Sequence, residues 1–493
     1  MNLRKFSRQS VFLVCLTVYT VVISSGCSDN SDSPSLSQGP SADLSEELTG
    51  VNSPFIGAAV PASLQKFGYV EQEYVASGTA TSYRAEIPLT EDGRWTFEPD
   101  DTAPYRTRIL VRRPENPADF SGTVLVEWIN VSGGVDANPE YVAIEEELTR
   151  QGHVWVGVSA QIIGVEGGPV AVLAPGAEAG GAGKGLKKID PERYRTLAHP
   201  GDGYSFDIFT QVARALTEGG PAMGFMDPQQ LIAIGESQSA MALVTYYNGV
   251  QPLARVFDGF FIHSRASFSL PLAAPGDYAD IARGFGTLPT IIRTDLDVPV
   301  LNQQAENDVI GVLNSIIVRQ PDSDTFRLWE VAGTAHADAR QLGANADNLD
   351  CGVPINDGPQ HFVAKGALSS LDKWVRTGEL PPVAPRLELL STNPPKFRRD
   401  ADGIVLGGIR TPPVDVPVDV LSGVPGPNPD IICILLGSTT PLSAERLTEL
   451  YTSRDDYVQR YAAATEAVIA SGFVLEGDRE ALQAVSDPSK VPN

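Results

Sequence analysis

The stretch Ile232–Tyr247, IAIGESQSAMALVTYY, changes character in its middle. Its first residues are apolar, as in a buried strand, and its last residues place apolar side chains at helical spacing. A tight turn from Gly235 to Ser239 joins the two halves. A sharp strand-to-helix turn of the form G-x-S-x-G exposes its central serine for nucleophilic attack. The stretch therefore predicts that Ser237 is a nucleophile, although Ser239 stands where this pattern has its second glycine.

Strand and helix patterns alternate on both sides of this stretch. Strong strand patterns occur at GTVLVEWIN (122–130), VWVGVSA (154–160), RVFDGFFIHS (255–264), DVPVLNQQAEND (297–308) and TFRLWEVAGTAH (325–336). Such alternation predicts an α/β fold with a mostly parallel sheet that is covered by helices on both faces. Two segments break the rhythm, at about 164–200 and 265–296. We expect both to be insertions at one end of the sheet.

A serine hydroxyl becomes a nucleophile only when a base removes its proton, and a carboxylate commonly orients that base. Glu306 and Asp308 follow the predicted strand at 297–308, and His336 follows the next strand. The carboxyl ends of parallel strands meet at one edge of a sheet, where active sites gather. The order therefore predicts a triad of Ser237, Asp308 and His336, with Glu306 as the alternative acid.

A tetrahedral intermediate also needs backbone N–H donors. One predicted donor is the amide of Gln238, which follows the nucleophile. The other is expected from the loop NVSGGVD (130–136), at Val131 or Ser132. His263 also ends a strand at this edge but precedes both acids, which disfavours it as the base. Arg265 is expected to pair with an acidic residue or, as the alternative, to bind a substrate carboxylate.

The N-terminal residues indicate export. Residues 1–26 combine basic residues with the apolar run Val11–Ile23, which predicts a signal peptide. Cys27 follows the small residues SSG and is a candidate for lipidation, with an ordinary cleaved signal as the alternative. The expected location is the periplasm or the outer membrane as a lipoprotein, or else secretion. Residues 27–50 are rich in Ser and Asp and predict a flexible tether.

The rest of the chain is expected to form one domain, with residues 51–384 as its α/β core and residues 385–493 as an extension packed on it. Of the four cysteines, Cys15 lies in the signal and Cys27 is the lipidation candidate. In an oxidising compartment the remaining two, Cys351 and Cys433, predict a disulfide.

Composition and motifs restrict the partners. Acidic residues number 61 against 37 basic ones, for a net charge of −24. This surface repels nucleic acids. The sequence contains no dinucleotide-binding or phosphate-loop motif and no metal-ligand spacing, so we expect no cofactor and no metal. Membrane contact is expected only through the lipid anchor, and the sequence leaves the oligomeric state open.

Several long phrases carry a family resemblance, among them VEWINVSGG (126–134), DPERYRTLAHPGDGYSFDIF (190–209), GESQSAMALVTYYNG (235–249) and VAGTAHAD (331–338). They resemble bacterial exported proteins of the α/β-hydrolase superfamily, and the resemblance covers about residues 67–473. It implies the α/β-hydrolase fold and hydrolase chemistry at Ser237. The leading expectation is an exported serine hydrolase that cleaves a small-molecule or lipid-like carboxylic ester through an acyl-enzyme. The alternatives are a peptidase or amidase with the same triad, and a non-catalytic binding domain.

Overall fold

The computed structural model describes residues 39–57, 64–174, 177, 180–284 and 287–492. Within these residues the central sheet has eight strands: β1 (Tyr69–Ala85), β2 (Phe97–Pro114), β3 (Thr123–Trp128), β4 (Val154–Val158), β5 (Gln230–Glu236), β6 (Gly259–His263), β7 (Val300–Gln304) and β8 (Phe326–Glu330). Their order in the sheet is β1-β2-β4-β3-β5-β6-β7-β8. The strands from β4 to β8 run parallel, and β2 pairs antiparallel with both β1 and β4. The predicted α/β fold with a mostly parallel sheet is confirmed.

Helices cover both faces of the sheet. The longer ones are Pro139–Gln151, Ser205–Thr217, Gln238–Thr245, Gln360–Thr377, Ala444–Leu450 and Arg454–Ala470. Short helical turns are Ile162–Glu166, Leu186–Ile189, Pro191–Tyr194, Gln251–Ala254, Ile281–Gly284, Glu306–Val309, Ala339–Leu342, Pro412–Asp415, Ile431–Leu435 and Arg479–Ala484. Among the described residues, no helix combines the length and apolar character needed to cross a membrane.

The sheet separates two apolar cores. One face packs around Trp128 and Phe209, and the other around Trp155, Trp329 and Phe362. Because both faces are buried, most of the parallel strands are nearly continuous apolar runs, and these runs made them recognisable in the sequence. The core holds the carboxyl ends of β5, β7 and β8 at one edge, where the predicted triad residues follow.

The segment before β1 corrects one prediction. The sequence assigned residues 27–50 to a flexible tether, but residues 39–50 pack on the sheet. Asp43 pairs with Ser77 of β1, and Leu44 and Leu48 are buried. The alternating apolar residues of this segment cover the otherwise open edge of β1, an effect that composition alone does not reveal. The predicted signal peptide and Cys27 lie outside the described residues.

The C-terminal residues pack on the same sheet. They contain the hairpins β9 (Leu389–Thr392) with β10 (Pro395–Phe397) and β11 (Asp419–Ser422) with β12 (Ser438–Pro441). Ile409 bridges Val331 directly after β8. Cys351 and Cys433, 82 residues apart, are joined by a disulfide with 5.4 Å between their Cα atoms. This bond ties the segment after His336 to the C-terminal extension.

Candidate active site

Ser237 occupies a strained turn between β5 and the helix Gln238–Thr245. Its φ of 63° and ψ of −119° are rare for a residue with a side chain, and such conformations persist only when neighbouring structure enforces them. The Ser237 N–H donates to the His263 carbonyl at 3.0 Å, and the Ser237 carbonyl accepts the Met241 N–H at 3.1 Å. A Cβ on Gly235 would lie 2.9 Å from the Cβ of Ser239, so the turn requires glycine there.

Three side chains from different loops meet at this turn. Nε2 of His336 lies 2.8 Å from Oγ of Ser237, and Nδ1 of His336 lies 2.6 Å from Oδ1 of Asp308. The second oxygen of Asp308 accepts the N–H of Ala305 at 2.7 Å. The backbone N–H of His336 donates to Oδ1 of Asn307, also at 2.7 Å. The structure therefore brings together a serine, an imidazole and a carboxylate in hydrogen-bonding order.

Glu306, the alternative acid, faces another way. One of its oxygens accepts the N–H of Gly333 at 2.8 Å. The other lies 2.8 Å from a guanidinium nitrogen of Arg399 and accepts the N–H of Gly423 at 3.2 Å. In the described structure, Glu306 makes no hydrogen bond to His336. It fastens the C-terminal extension to the loop that carries Asp308.

The surroundings of His336 favour its charged form. Burial of the imidazole alone would lower the pKa of His336, but the charge of Asp308 and the hydrogen bond to it outweigh that effect. The pKa of His336 is therefore raised above its ordinary value of 6.5. A histidine with a raised pKa accepts the serine proton more readily. It is deprotonated, and so able to act as the base, only at higher pH.

The predicted oxyanion donors differ in availability. The N–H of Gln238, at the start of its helix, makes no hydrogen bond to the described residues. The N–H of Val131 donates to the side-chain oxygen of Gln238 at 3.1 Å, and the N–H of Ser132 donates to Oδ1 of Asn130 at 2.8 Å. Of the three predicted donors, only the first is free of hydrogen bonds to the described residues. The side chain of Gln238, which the sequence did not single out, links the loop after β3 to the turn at Ser237.

The family follows from a comparison with known proteins. A family model described as "Alpha/beta hydrolase domain" matches residues 37–484, which is most of the chain. The chain belongs to the alpha/beta hydrolase domain family. No curated protein matches the sequence of this chain.

Solved structures give distant likenesses. A fungal esterase from Rhizomucor miehei aligns at 14% identity and a TM-score of 0.32, covering 61% of this chain and 86% of its own. A putative dienelactone hydrolase from Klebsiella pneumoniae aligns at 13% identity and a TM-score of 0.30, covering 62% and 99%. A lidless α/β serine hydrolase from Xanthomonas campestris aligns at 12% identity and a TM-score of 0.26, covering 52% and 83%.

Behind the elbow of this alpha/beta hydrolase domain lies a buried charged cluster of Glu140, Glu236 and His263. Nδ1 of His263 lies 3.0 Å from Glu140 and 4.0 Å from Glu236. Burial alone would lower the pKa of His263, but the charge of Glu140 and its hydrogen bond raise that pKa to about 9. Burial raises the pKa of Glu236 to about 7.

The backbone carbonyl of His263 also supports the elbow, because it accepts the Ser237 N–H. The ligand atoms of the three side chains lie within 4.8 Å of one another, a spacing that would also suit a metal ion. The cluster was not predicted from the sequence, because Glu140 lies in the first turn of the helix Pro139–Gln151, far from His263 in the chain. Charged residues inside otherwise apolar, buried runs were the signal that could have revealed it.

The first insertion contacts the loop of the predicted oxyanion donors. The N–H of Val172 donates to the Ser132 carbonyl at 2.9 Å. Val172 also packs against the apolar cluster around the disulfide Cys351–Cys433, as does Ala337, the neighbour of His336. The insertion therefore connects the segments on both sides of the candidate site.

Arg265 begins the second insertion, and the prediction of an acidic partner for it is wrong. Its guanidinium donates to the carbonyls of Ala266, at 2.9 Å, and Thr290. It forms no ion pair with any residue that the structure describes. Burial lowers the pKa of Arg265 to about 9. The side chain folds back on its own insertion and braces it, so it is not available to a substrate.

Proposed function

We propose that this protein is a serine hydrolase that cleaves carboxylic esters through an acyl-enzyme on Ser237. The observation that carries the proposal is the pair of contacts at His336, 2.8 Å to Ser237 and 2.6 Å to Asp308. The strained backbone at Ser237 supports the same role, because strain of this kind clusters at functional sites.

The reaction follows from these contacts. His336 accepts the proton of Ser237 as Oγ attacks the ester carbonyl, and Asp308 stabilises the resulting imidazolium. The N–H of Gln238 donates to the oxyanion. The intermediate collapses to an acyl-serine while His336 gives its proton to the departing alcohol. A water molecule, deprotonated by His336, then releases the carboxylic acid and restores Ser237.

The state of the oxyanion donors favours esters over amides. Removing one oxyanion donor from such a site costs about 3–4 kcal/mol of transition-state stabilisation. In the described structure Val131 and Ser132 already use their N–H groups on side chains, and of the three predicted donors only Gln238 has a free one. Amides are less reactive than esters and depend more on that stabilisation.

A fluorophosphonate probe tests the nucleophile. Wild type is expected to be labelled covalently, and Ser237→Ala is expected to lose the label. Ser239→Ala is the matched control, since this neighbouring serine is buried and its hydroxyl has no hydrogen-bond partner in the described structure. Equal labelling of wild type and Ser237→Ala, or no labelling of folded wild type, would contradict the proposal. A p-nitrophenyl ester and the p-nitroanilide of the same acyl group then compare ester with amide turnover.

We also propose that the protein is exported and anchored through a lipid on Cys27. The N-terminal pattern supports this, and a disulfide is typical of proteins outside the cytosol. Expression in a Gram-negative bacterium with a radiolabelled fatty acid tests it. Label and membrane association are expected to disappear in Cys27→Ala, and a soluble, unlabelled wild type would contradict the anchor.

A further inference from the structure

A cavity of 610 Å³ lies between the loop that carries Asp308 and the C-terminal extension. Its walls are mostly apolar and include Ile310, Val312, Phe397, Val424, Ile434 and Leu435. Neither Ser237 nor His336 is among the described residues that line it. Its size falls within the range of about 300–1,000 Å³ in which proteins bind single small molecules, and such sites combine apolar walls with few polar groups.

The charges at this cavity do not cancel. Glu306 and Arg399 both line it, but they pair with each other at 2.8 Å and are together neutral. Lys396 lies at the exposed rim and forms no ion pair with the described residues. The cavity therefore presents one unpaired positive charge beside an apolar wall, on a chain with a net charge of −24.

We propose that this cavity binds an amphiphilic carboxylate, with its hydrocarbon chain against the apolar wall and its carboxylate at Lys396. Apolar burial supplies most of the affinity for such a ligand, and the lysine selects the head group. Asn307 also lines the cavity, and its side-chain oxygen accepts the N–H of His336. The site therefore lies one side chain away from the candidate base. It does not depend on catalysis at Ser237.

Calorimetric titration of the full chain with sodium dodecanoate, below its micelle concentration, tests the apolar part. One molecule is expected to bind per chain. Val424→Trp is expected to weaken binding at least about tenfold, because the larger ring fills the cavity. Val424 is 53% exposed, so the variant should fold. Val458→Trp is the matched control, because this valine is 43% exposed and lies outside the cavity. Equal affinity in both variants, or no binding to wild type, would overturn the proposal.

The head group is tested separately. Lys396→Glu is expected to weaken dodecanoate binding about three- to tenfold, as one attraction becomes a repulsion near the surface. Lys66→Glu is its control, an exposed lysine that also lacks an ion pair in the described structure. Dodecanol should bind several-fold more weakly than dodecanoate and be indifferent to the Lys396 change. Equal affinity for the alcohol and the carboxylate would refute recognition of the carboxylate.

Discussion

The two carboxylates of the loop after β7 make different contacts, which predicts opposite results for their amide variants. In Asp308→Asn the side-chain oxygen is expected to keep the N–H of Ala305, which donates to Oδ2 at 2.7 Å in the wild type. The new NH₂ group then faces Nδ1 of His336, where the carboxylate oxygen lay at 2.6 Å. An NH₂ donor there places the imidazole proton on Nε2, and that nitrogen can no longer accept the proton of Ser237.

Loss of the correct tautomer costs about 10⁴-fold in kcat in serine hydrolases with this arrangement, or about 5.4 kcal/mol of transition-state stabilisation. Glu306→Gln should leave kcat within about tenfold of wild type, because Glu306 makes no hydrogen bond to His336 in the described structure. We expect Glu306→Gln to lower the stability of the fold instead. Removing the charge leaves Arg399 without its partner, and we expect on the order of 1–3 kcal/mol because the Arg399 side chain is 24% exposed.

The assay is steady-state hydrolysis of p-nitrophenyl acetate by both variants, with thermal unfolding followed by circular dichroism. The expected result is a slow, stable Asp308→Asn protein and an active, less stable Glu306→Gln protein. A kcat of Asp308→Asn within about tenfold of wild type would contradict the role of Asp308 as the acid. A loss of activity by orders of magnitude in Glu306→Gln, at an unchanged Tm, would contradict it equally.

Three further outcomes follow from the site and its supports. The acid limb of kcat/KM should have its midpoint above pH 6.5, because Asp308 raises the pKa of His336 despite burial; a midpoint at or below 6.5 would contradict this. His263→Gln should lower the free energy of unfolding by about 3–5 kcal/mol, since it leaves Glu140 buried without its partner. Because the pKa of His263 is raised to about 9, its ion pair contributes fully to stability below pH 6.5 and loses that contribution as the pH rises through about 9. In urea unfolding, the difference in free energy between wild type and His263→Gln should therefore be smaller in alkali. A larger difference in alkali would count against the ion pair. Replacing Cys351 and Cys433 by serine should cost up to about 4.5 kcal/mol, because the bond closes a loop of 82 residues, and an unchanged Tm would contradict this.

Local pattern and topology explain what the sequence could predict. β5 and its helix are recognisable because an apolar run stops at Gly235 and helical spacing begins at once. His336 and the acidic pair are recognisable because parallel strands deliver their C-terminal ends to one edge. Neither inference needs a contact between distant side chains. The predicted disulfide needed only the compartment and the number of remaining cysteines.

The choice between Glu306 and Asp308 could not come from such patterns. Both stand in one short helical turn, Glu306–Val309, so their side chains leave the backbone in different directions. Which direction faces His336 depends on Arg399 and Gly423, more than 90 residues later in the chain. The segment 39–50 was mistaken for a tether for the same reason. Its composition is that of a linker, and its partners, the edge of β1 and the helix Ser205–Thr217, come from distant parts of the chain.

A non-local contact also affects the proposed chemistry at the loop 130–136, the predicted source of a second oxyanion donor. Glycines in the loop 130–136 led to the prediction of donors there, but the hydrogen bond from Val131 to the side chain of Gln238 was not visible in them. In the described structure Gln238 thus leaves its own N–H without a hydrogen bond, while its side-chain oxygen accepts the N–H of Val131, the other candidate donor. For Val131 to serve the oxyanion, its N–H must exchange the oxygen of Gln238 for the oxygen of the substrate. In that case the ester carbonyl binds as the hydrogen bond between Val131 and Gln238 breaks. The second donor then becomes available only when the substrate binds.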